Sequence, residues 1–218
     1  AVEIGYKYLE TDVHPNADEK LMAFHDSTLD RVTNYIGKIR NFTSQELKKI
    51  RVNDRFQIPF LEDLLDSFSQ NYFSIDMKSD ESVRPLIKVV KKMNAIDRVC
   101  FASFNQQRLD FVREEFNNKC ITSMGPKEIV KTKLCSVFNI KHNVMPLISS
   151  LPIKRYKIEL LNKRHIDFLK SLNIKVIAWT INDTNEINRL IDLGVDGIMT
   201  DNISVLKEIL VKKNLWHQ

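Results

Sequence analysis

From Tyr8 onward, short apolar or alternating runs are followed, one after another, by segments with helical periodicity, and no other feature of the chain restricts its fold as much. Seven runs read as core strands: Tyr8–Val13, Tyr72–Met77, Val99–Ser103, Cys120–Ser123, Val144–Leu147, Lys175–Ile181 and Gly197–Thr200. Between them lie helical patterns. Glu81–Met93, for example, places Val83, Leu86, Ile87 and Val90 on one face, and Thr43 with Glu46 three residues later forms a capping box. Strands alternating with helices predict a parallel sheet covered by helices, an α/β protein. No linker, repeat or low-complexity tract interrupts residues 1–218, so a single domain is expected. Seven strands and one lost from the N-terminus would make a (β/α)8 TIM barrel. A doubly wound sheet fits the pattern too, but the chain has no Gly-x-Gly-x-x-Gly and only five glycines.

Composition narrows the class. Hydrophobic content of 43% and charged content of 28% are those of a globular protein, and no apolar run approaches the ~18–20 residues that span a bilayer. The formal charge of +5 is spread over lysines such as Lys48, Lys91 and Lys212. These read as solvated helix faces; a nucleic-acid surface is the weaker alternative, and no nucleic-acid partner is expected. Three cysteines, Cys100, Cys120 and Cys135, form no close pair and no metal spacing. Cys100 and Cys120 sit in apolar runs, as buried reduced thiols do, which favours a cytoplasmic location. The opening Ala1-Val2-Glu3-Ile4-Gly5 reads as the last turn of a helix. Residues upstream are therefore expected, and a signal peptide could stand among them.

The chemistry is marked by charges inside strands. In Tyr8-Leu9-Glu10-Thr11-Asp12-Val13 the two carboxylates lie two residues apart and so on one face. In the next core strand Asp76 and Lys78 share a face near its C-terminal end. Buried parallel strands are normally apolar on both sides, and ionised groups there are costly unless paired or bound to metal. Three carboxylates around one lysine suggest a hard divalent cation, Mg²⁺ or Ca²⁺; a purely structural ion-pair cluster competes with that reading. His25, in Phe24-His25-Asp26, follows the first strand pair, near the mouth where such barrels place their sites. His14 and Asp18 read as turn residues and His165 as solvent-facing, while Asp30 and Arg31 read as a local pair.

Together these segments resemble a family. Glu10-Thr11-Asp12-Val13, then Phe24-His25-Asp26-x-Thr28-Leu29-Asp30-Arg31-x-Thr33 and Gly37, is similar to the glycerophosphodiester phosphodiesterase motif. Ile58-Pro59-x-Leu61-Glu62-Asp63-Leu64-Leu65, Ala102-Ser103-Phe104, Trp179-Thr180-Ile181-Asn182-Asp183 and Gly194-Val195-Asp196-Gly197-Ile198-Met199-Thr200-Asp201 resemble its later segments in the same order. The resemblance implies a metal-dependent phosphoric diester hydrolase of lipid and glycerol metabolism. It would convert a small-molecule glycerophosphodiester to an alcohol and glycerol 3-phosphate by acid/base catalysis. It further implies that Glu10, Asp12 and Asp76 are metal ligands, the last an Asp where many members have Glu. His25 would be a catalytic histidine, Lys78 a residue near the substrate phosphate and Trp179 an aromatic wall. The family's first strand ends in His-Arg, with Glu-Asn-Thr shortly after, and neither occurs in these 218 residues. Upstream residues carrying His-Arg are the expectation; a phospho-ligand-binding barrel without turnover, or a phospholipase D-like barrel enzyme, are the alternatives. Head-group preference, direct water attack against a cyclic phosphate, and oligomeric state stay open.

Overall fold

The computed structural model describes residues 1–155 and 157–216. Their packing divides into two compact units, Lys7–Ile121 and a second made of Ala1–Tyr6 with the residues from Thr122 on.

In the first unit, β1 (Tyr8–Pro15) pairs antiparallel with β2 (Leu21–Ala23), which closes the turn at Asn16. The side chain of Asn16 fixes that turn by accepting from the backbone N–H groups of Asp18 and Lys20. The helix α1 (Ser44–Leu47) starts from the expected capping box. Thr43 N–H donates to Glu46 Oε2 at 2.7 Å while Glu46 N–H donates to Thr43 Oγ1 at 3.3 Å. A small hairpin, β3 (Arg51–Val52) with β4 (Phe56–Gln57), precedes α2 (Leu61–Ser67). The chain then enters β5 (Tyr72–Met77), which lies parallel to β1. After α3 (Val83–Lys92), β6 (Val99–Ala102) adds parallel to β5, followed by α4 (Gln106–Glu115). With β7 (Ile121–Thr122), at whose centre the unit ends, the sheet order is β2-β1-β5-β6-β7. The core beneath it joins Phe73, Ile75, Met77, Val99 and Phe101 of the strands to Leu86, Val90, Leu109 and Val112 of the helices. Leu86 and Val90 come from the apolar face that the sequence pattern marks.

The second unit opens on a 3-10 turn, Val2–Ile4, ending at Gly5 with φ 99°. That is the helix-tail geometry expected from the sequence, in a shorter form. Helix α5 (Pro126–Phe138) follows, then β8 (Ile148–Leu151), the hairpin β9 (Lys154–Arg155) with β10 (Ile158–Glu159), and α6 (Lys163–Ser171). Next come β11 (Lys175–Ala178), α7 (Thr184–Leu193), β12 (Gly197–Ile198) and α8 (Ile203–Lys212). The strands β12-β11-β8 are parallel neighbours over a core that includes Leu151, Ile166, Leu169, Val176, Ala178, Ile187 and Leu206.

Two expectations shift here. The strand expected at Val144–Leu147 forms instead at Ile148–Leu151. Pro146 has no N–H for a ladder, and β8 begins only beyond it. His165, read as solvent-facing, is 1% exposed on the inner side of α6. Its Nδ1–H donates to the Leu160 carbonyl at 2.8 Å, so the ring is accommodated by satisfying one nitrogen. Of the two cysteines expected to be buried, Cys100 is, and burial pushes its thiol up to about 12, whereas Cys120 is half-buried.

Candidate active site

The site grows from the register of β1 on β5. Residues alternate along β1, so Glu10, Asp12 and His14 share one face. Parallel pairing sets Asp12 opposite Asp76 and Glu10 opposite Ser74. Two neighbouring carboxylates would repel, and a cation relieves them: the Lys78 ammonium lies 2.7 Å from Asp12 Oδ1 and 2.8 Å from Asp76 Oδ2. Lys78 is the first residue beyond β5, so this triad sits at the C-terminal ends of adjacent parallel strands.

Burial pushes the Asp76 carboxyl up, with Lys78 opposing the rise. For Lys78 burial acts downward, yet the hydrogen bonds to Asp12 and Asp76 outweigh it and the ammonium is raised. The second oxygen of Asp76, Oδ1, is buried without a hydrogen-bond partner. Such an atom costs about 1–3 kcal/mol unless a ligand engages it.

Four contacts surround this strand end. The Met77 carbonyl accepts from Ser103 Oγ at 3.1 Å and from Arg108 Nη1 at 2.8 Å. Arg108 Nε also donates to Asp80 Oδ1 at 2.6 Å. Phe104 lies with its ring centroid 5.8 Å from Lys78 Nζ.

His25 reaches the same region because β2 folds back on β1. The Phe24 N–H donates to the Asp12 carbonyl at 2.9 Å, which anchors the chain one residue before His25. Its Nδ1 lies 2.6 Å from Asp26 Oδ1, and the other oxygen of Asp26 accepts from Arg31 Nε. The Arg31 hydrogen bond, then that of His25, hold the Asp26 carboxyl down at about 2. An ionised Asp26 keeps the proton on Nδ1 and leaves Nε2 of this exposed ring for proton exchange.

The expected Asp30–Arg31 pair is thus replaced by Asp26–Arg31. Asp30 instead accepts from the Gly37 N–H at 3.3 Å and closes its own loop. His14, read as a turn residue, is 7% exposed at the end of β1, with Nε2 3.2 Å from the His25 carbonyl. Burial lowers its basicity, and it feels the charges of Lys78, Asp12 and His25. One ring therefore joins the triad to the histidine loop. The alternation that links Glu10 to Asp12 extends to His14, and that signal could have found it. Asp26 and Ser103 lie inside the motif segments without a role assigned to them, and Arg108 had no comparable signal, since its partners Asp80 and the Met77 carbonyl lie about thirty residues away.

Of the expected site residues, Asp12, Asp76 and Lys78 meet directly, and His25 follows Phe24, whose backbone N–H is bound to the Asp12 carbonyl. Glu10 is exposed on the same face of β1. Trp179 follows β11 in the second unit, half-buried, its backbone N–H donating to the Leu151 carbonyl at 3.1 Å. Among the described residues, no group of three or more His, Cys, Asp or Glu side chains is arranged to hold a metal ion. The cation between the two aspartates here is the lysine.

The chain is 23% identical over 221 residues to a probable glycerophosphodiester phosphodiesterase 2 of Mycobacterium tuberculosis, covering 99% of this chain and 84% of that one. The fold matches a putative glycerophosphoryl diester phosphodiesterase of Silicibacter pomeroyi with a TM-score of 0.80 at 19% identity, over 100% of this chain and 87% of that chain. It also matches an Oleispira antarctica phosphodiesterase solved with its product sn-glycerol-3-phosphate, TM-score 0.78 at 20% identity, over 96% of this chain and 87% of that one. These likenesses show the fold, the (β/α)8 barrel that the sequence led us to expect. The model of the glycerophosphoryl diester phosphodiesterase family matches residues 1–205. With the family's motifs in order along the chain and its acidic strand ends in register, this chain belongs to the glycerophosphoryl diester phosphodiesterase family of phosphoric diester hydrolases.

Proposed function

We propose that this chain hydrolyses a small glycerophosphodiester to an alcohol and glycerol 3-phosphate at the Asp12–Lys78–Asp76 cluster. The observation that carries the reading is that cluster itself. It sets paired carboxylates bridged by an ammonium at the C-terminal ends of parallel strands, and the next residue after the Phe24 anchored on Asp12 is an aspartate-oriented histidine. We propose Glu10, Asp12 and Asp76 as the residues that would hold a divalent cation, Mg²⁺ or Ca²⁺. The unpartnered buried oxygen of Asp76 supports the fit, as does a donor set of hard carboxylate oxygens. A bound divalent ion supplies charge neutralisation at the non-bridging phosphate oxygens.

The chain's own residues do the rest. Lys78, held between two carboxylates, presents a positive charge that a phosphate oxygen can share. Asp26 fixes the His25 tautomer, and His25 Nε2 exchanges the proton that accompanies cleavage of the P–O bond to the alcohol. Water supplies the oxygen that the phosphorus gains. Phe104 covers one side of the lysine and limits its hydration. Free cysteines with a deeply buried Cys100 support placing the enzyme in the reducing cytoplasm.

The test is Asp12→Ala, assayed by release of glycerol 3-phosphate from a water-soluble glycerophosphodiester with added Mg²⁺ or Ca²⁺. Turnover should fall by about 10²–10³-fold, the scale of losing one electrostatic group from such a site, while the circular dichroism spectrum stays that of the parent. Turnover unchanged by Asp12→Ala, with the parent active, would remove this cluster from the reaction.

A further inference from the structure

Helix α5 is built inside out. Its inner positions include Thr132 and Ser136, 0% and 3% exposed, whereas Val130, Leu134, Val137 and Phe138 are 60%, 59%, 45% and 72% exposed. At ~100° per residue these four apolar side chains, with Lys127 and Lys131, fall within an arc of roughly 120°. Past the helix end, Ile140, Met145 and Leu147 are also exposed. A surface helix normally turns such a strip inward, and contiguous exposed apolar area of this kind marks a docking face.

Charge says what docks there. Residues 126–159 hold seven lysines and arginines against Glu128 and Glu159, a formal +5 that equals the net charge of the whole chain. Neither acid opposes an anion. Glu128 caps the helix by accepting from the Gly125 N–H at 2.7 Å, and Glu159 sits among cations, within electrostatic reach of Lys133 and 3.9 Å from Arg189. Lys127, Lys131 and Lys141 are exposed amid the apolar side chains. A second copy of the chain is a poor occupant, because a two-fold contact would oppose two faces of the same strong positive charge. Apolar side chains flanked by lysines whose stems can snorkel suit the boundary between acyl chains and acidic headgroups.

We propose that the exposed face of α5 docks this protein peripherally on an anionic phospholipid surface. The helix lies in the plane of the interface with Val130, Leu134, Val137 and Phe138 inserted, and its lysines lie among the headgroup phosphates. No folding accompanies docking, since Gly125, Pro126 and Glu128 already fix the helix start and Asn139, at φ 53°, its end.

The whole chain should be sedimented with vesicles of phosphatidylcholine alone and with about 30 mol% phosphatidylglycerol, at about 0.05 M and about 0.5 M salt. Partitioning onto the acidic vesicles should exceed that onto neutral ones by at least about tenfold at low salt and collapse at high salt. Leu134→Glu combined with Phe138→Glu should lower it by at least about tenfold, and Lys127→Glu with Lys131→Glu should do the same. Both double variants should keep the parent's circular dichroism and its turnover of a water-soluble glycerophosphodiester. Equal partitioning with and without acidic lipid, or variants that bind like the parent, would overturn the proposal. So would light scattering that shows a dimer converted to monomer by Leu134→Glu, which would assign the face to self-association.

Discussion

At the scale of single residues, the site depends on groups that make others usable. Asp26 is the clearest. Its two oxygens are divided between His25 and Arg31, and it stays ionised down to about pH 2. Asp26→Asn keeps the shape but offers one neutral carbonyl oxygen where two anionic ones stood. The His25 ring then loses its fixed tautomer and orientation. We expect kcat to fall by about 10²-fold, with KM little changed, since general acid–base groups contribute 10²–10⁴-fold. Steady-state kinetics over a pH range checks this; an unchanged kcat would confine Asp26 to holding the loop. Ser103 and Arg108 act one step further out, on the Met77 carbonyl beside Asp76 and Lys78.

At the scale of elements, helix ends illustrate how local chemistry is written into the chain. Helix α7 begins at Asp183, whose Oδ1 accepts from the Glu186 N–H at 2.9 Å, and ends at Gly194 with φ 88°. Asp183→Ala removes the cap, and Gly194→Ala forces a Cβ into the left-handed region. Each should cost about 1 kcal/mol. The two sites stand about 15 Å apart along the helix, so their effects should add. Urea midpoints, with m values unchanged, measure both; a double variant no less stable than either single one would show that the two ends are coupled. The same logic explains α1, whose capping box was visible as Thr43-x-x-Glu46. It also explains β8, displaced past Pro146 because apolar composition alone does not supply the N–H groups a ladder requires.

At the scale of the whole molecule, acid stability should carry the mark of His165. Burial lowers its pKa from 6.5 to about 4. Above pH 6.5 the ring is neutral in folded and unfolded chains alike and contributes no pH dependence. Between 6.5 and 4 the unfolded chain takes up a proton that the folded one refuses, so stability falls as pH falls, by about 3 kcal/mol in all at 1.36 kcal/mol per unit. Below 4 both states are protonated and the contribution is flat. His165→Asn keeps a donor for the Leu160 carbonyl without the titration. Its unfolding free energy should therefore lose less than the parent's between pH 6.5 and 4. Parallel slopes for the two proteins would show that His165 charges as readily when folded. The net charge of +5 is likewise a property of place, because residues 126–159 account for all of it.

The alternation of strands and helices, the caps, and the charged strand ends Glu10, Asp12, Asp76 and Lys78 are determined by sequence alone. Each rests on spacings of a few residues that set the face a side chain occupies. The motif order was enough to reach the family. What only the tertiary structure decided are relations between elements. These include the register that sets Asp12 against Asp76, the lysine bridging them, and the choice of Asp26 over Asp30 as the partner of Arg31. The burial of His14 and His165, and the outward turn of the apolar face of α5, belong there too. Periodicity says that a face is apolar or charged, but which face a neighbour covers depends on chain dozens of residues away, and no local pattern encodes that.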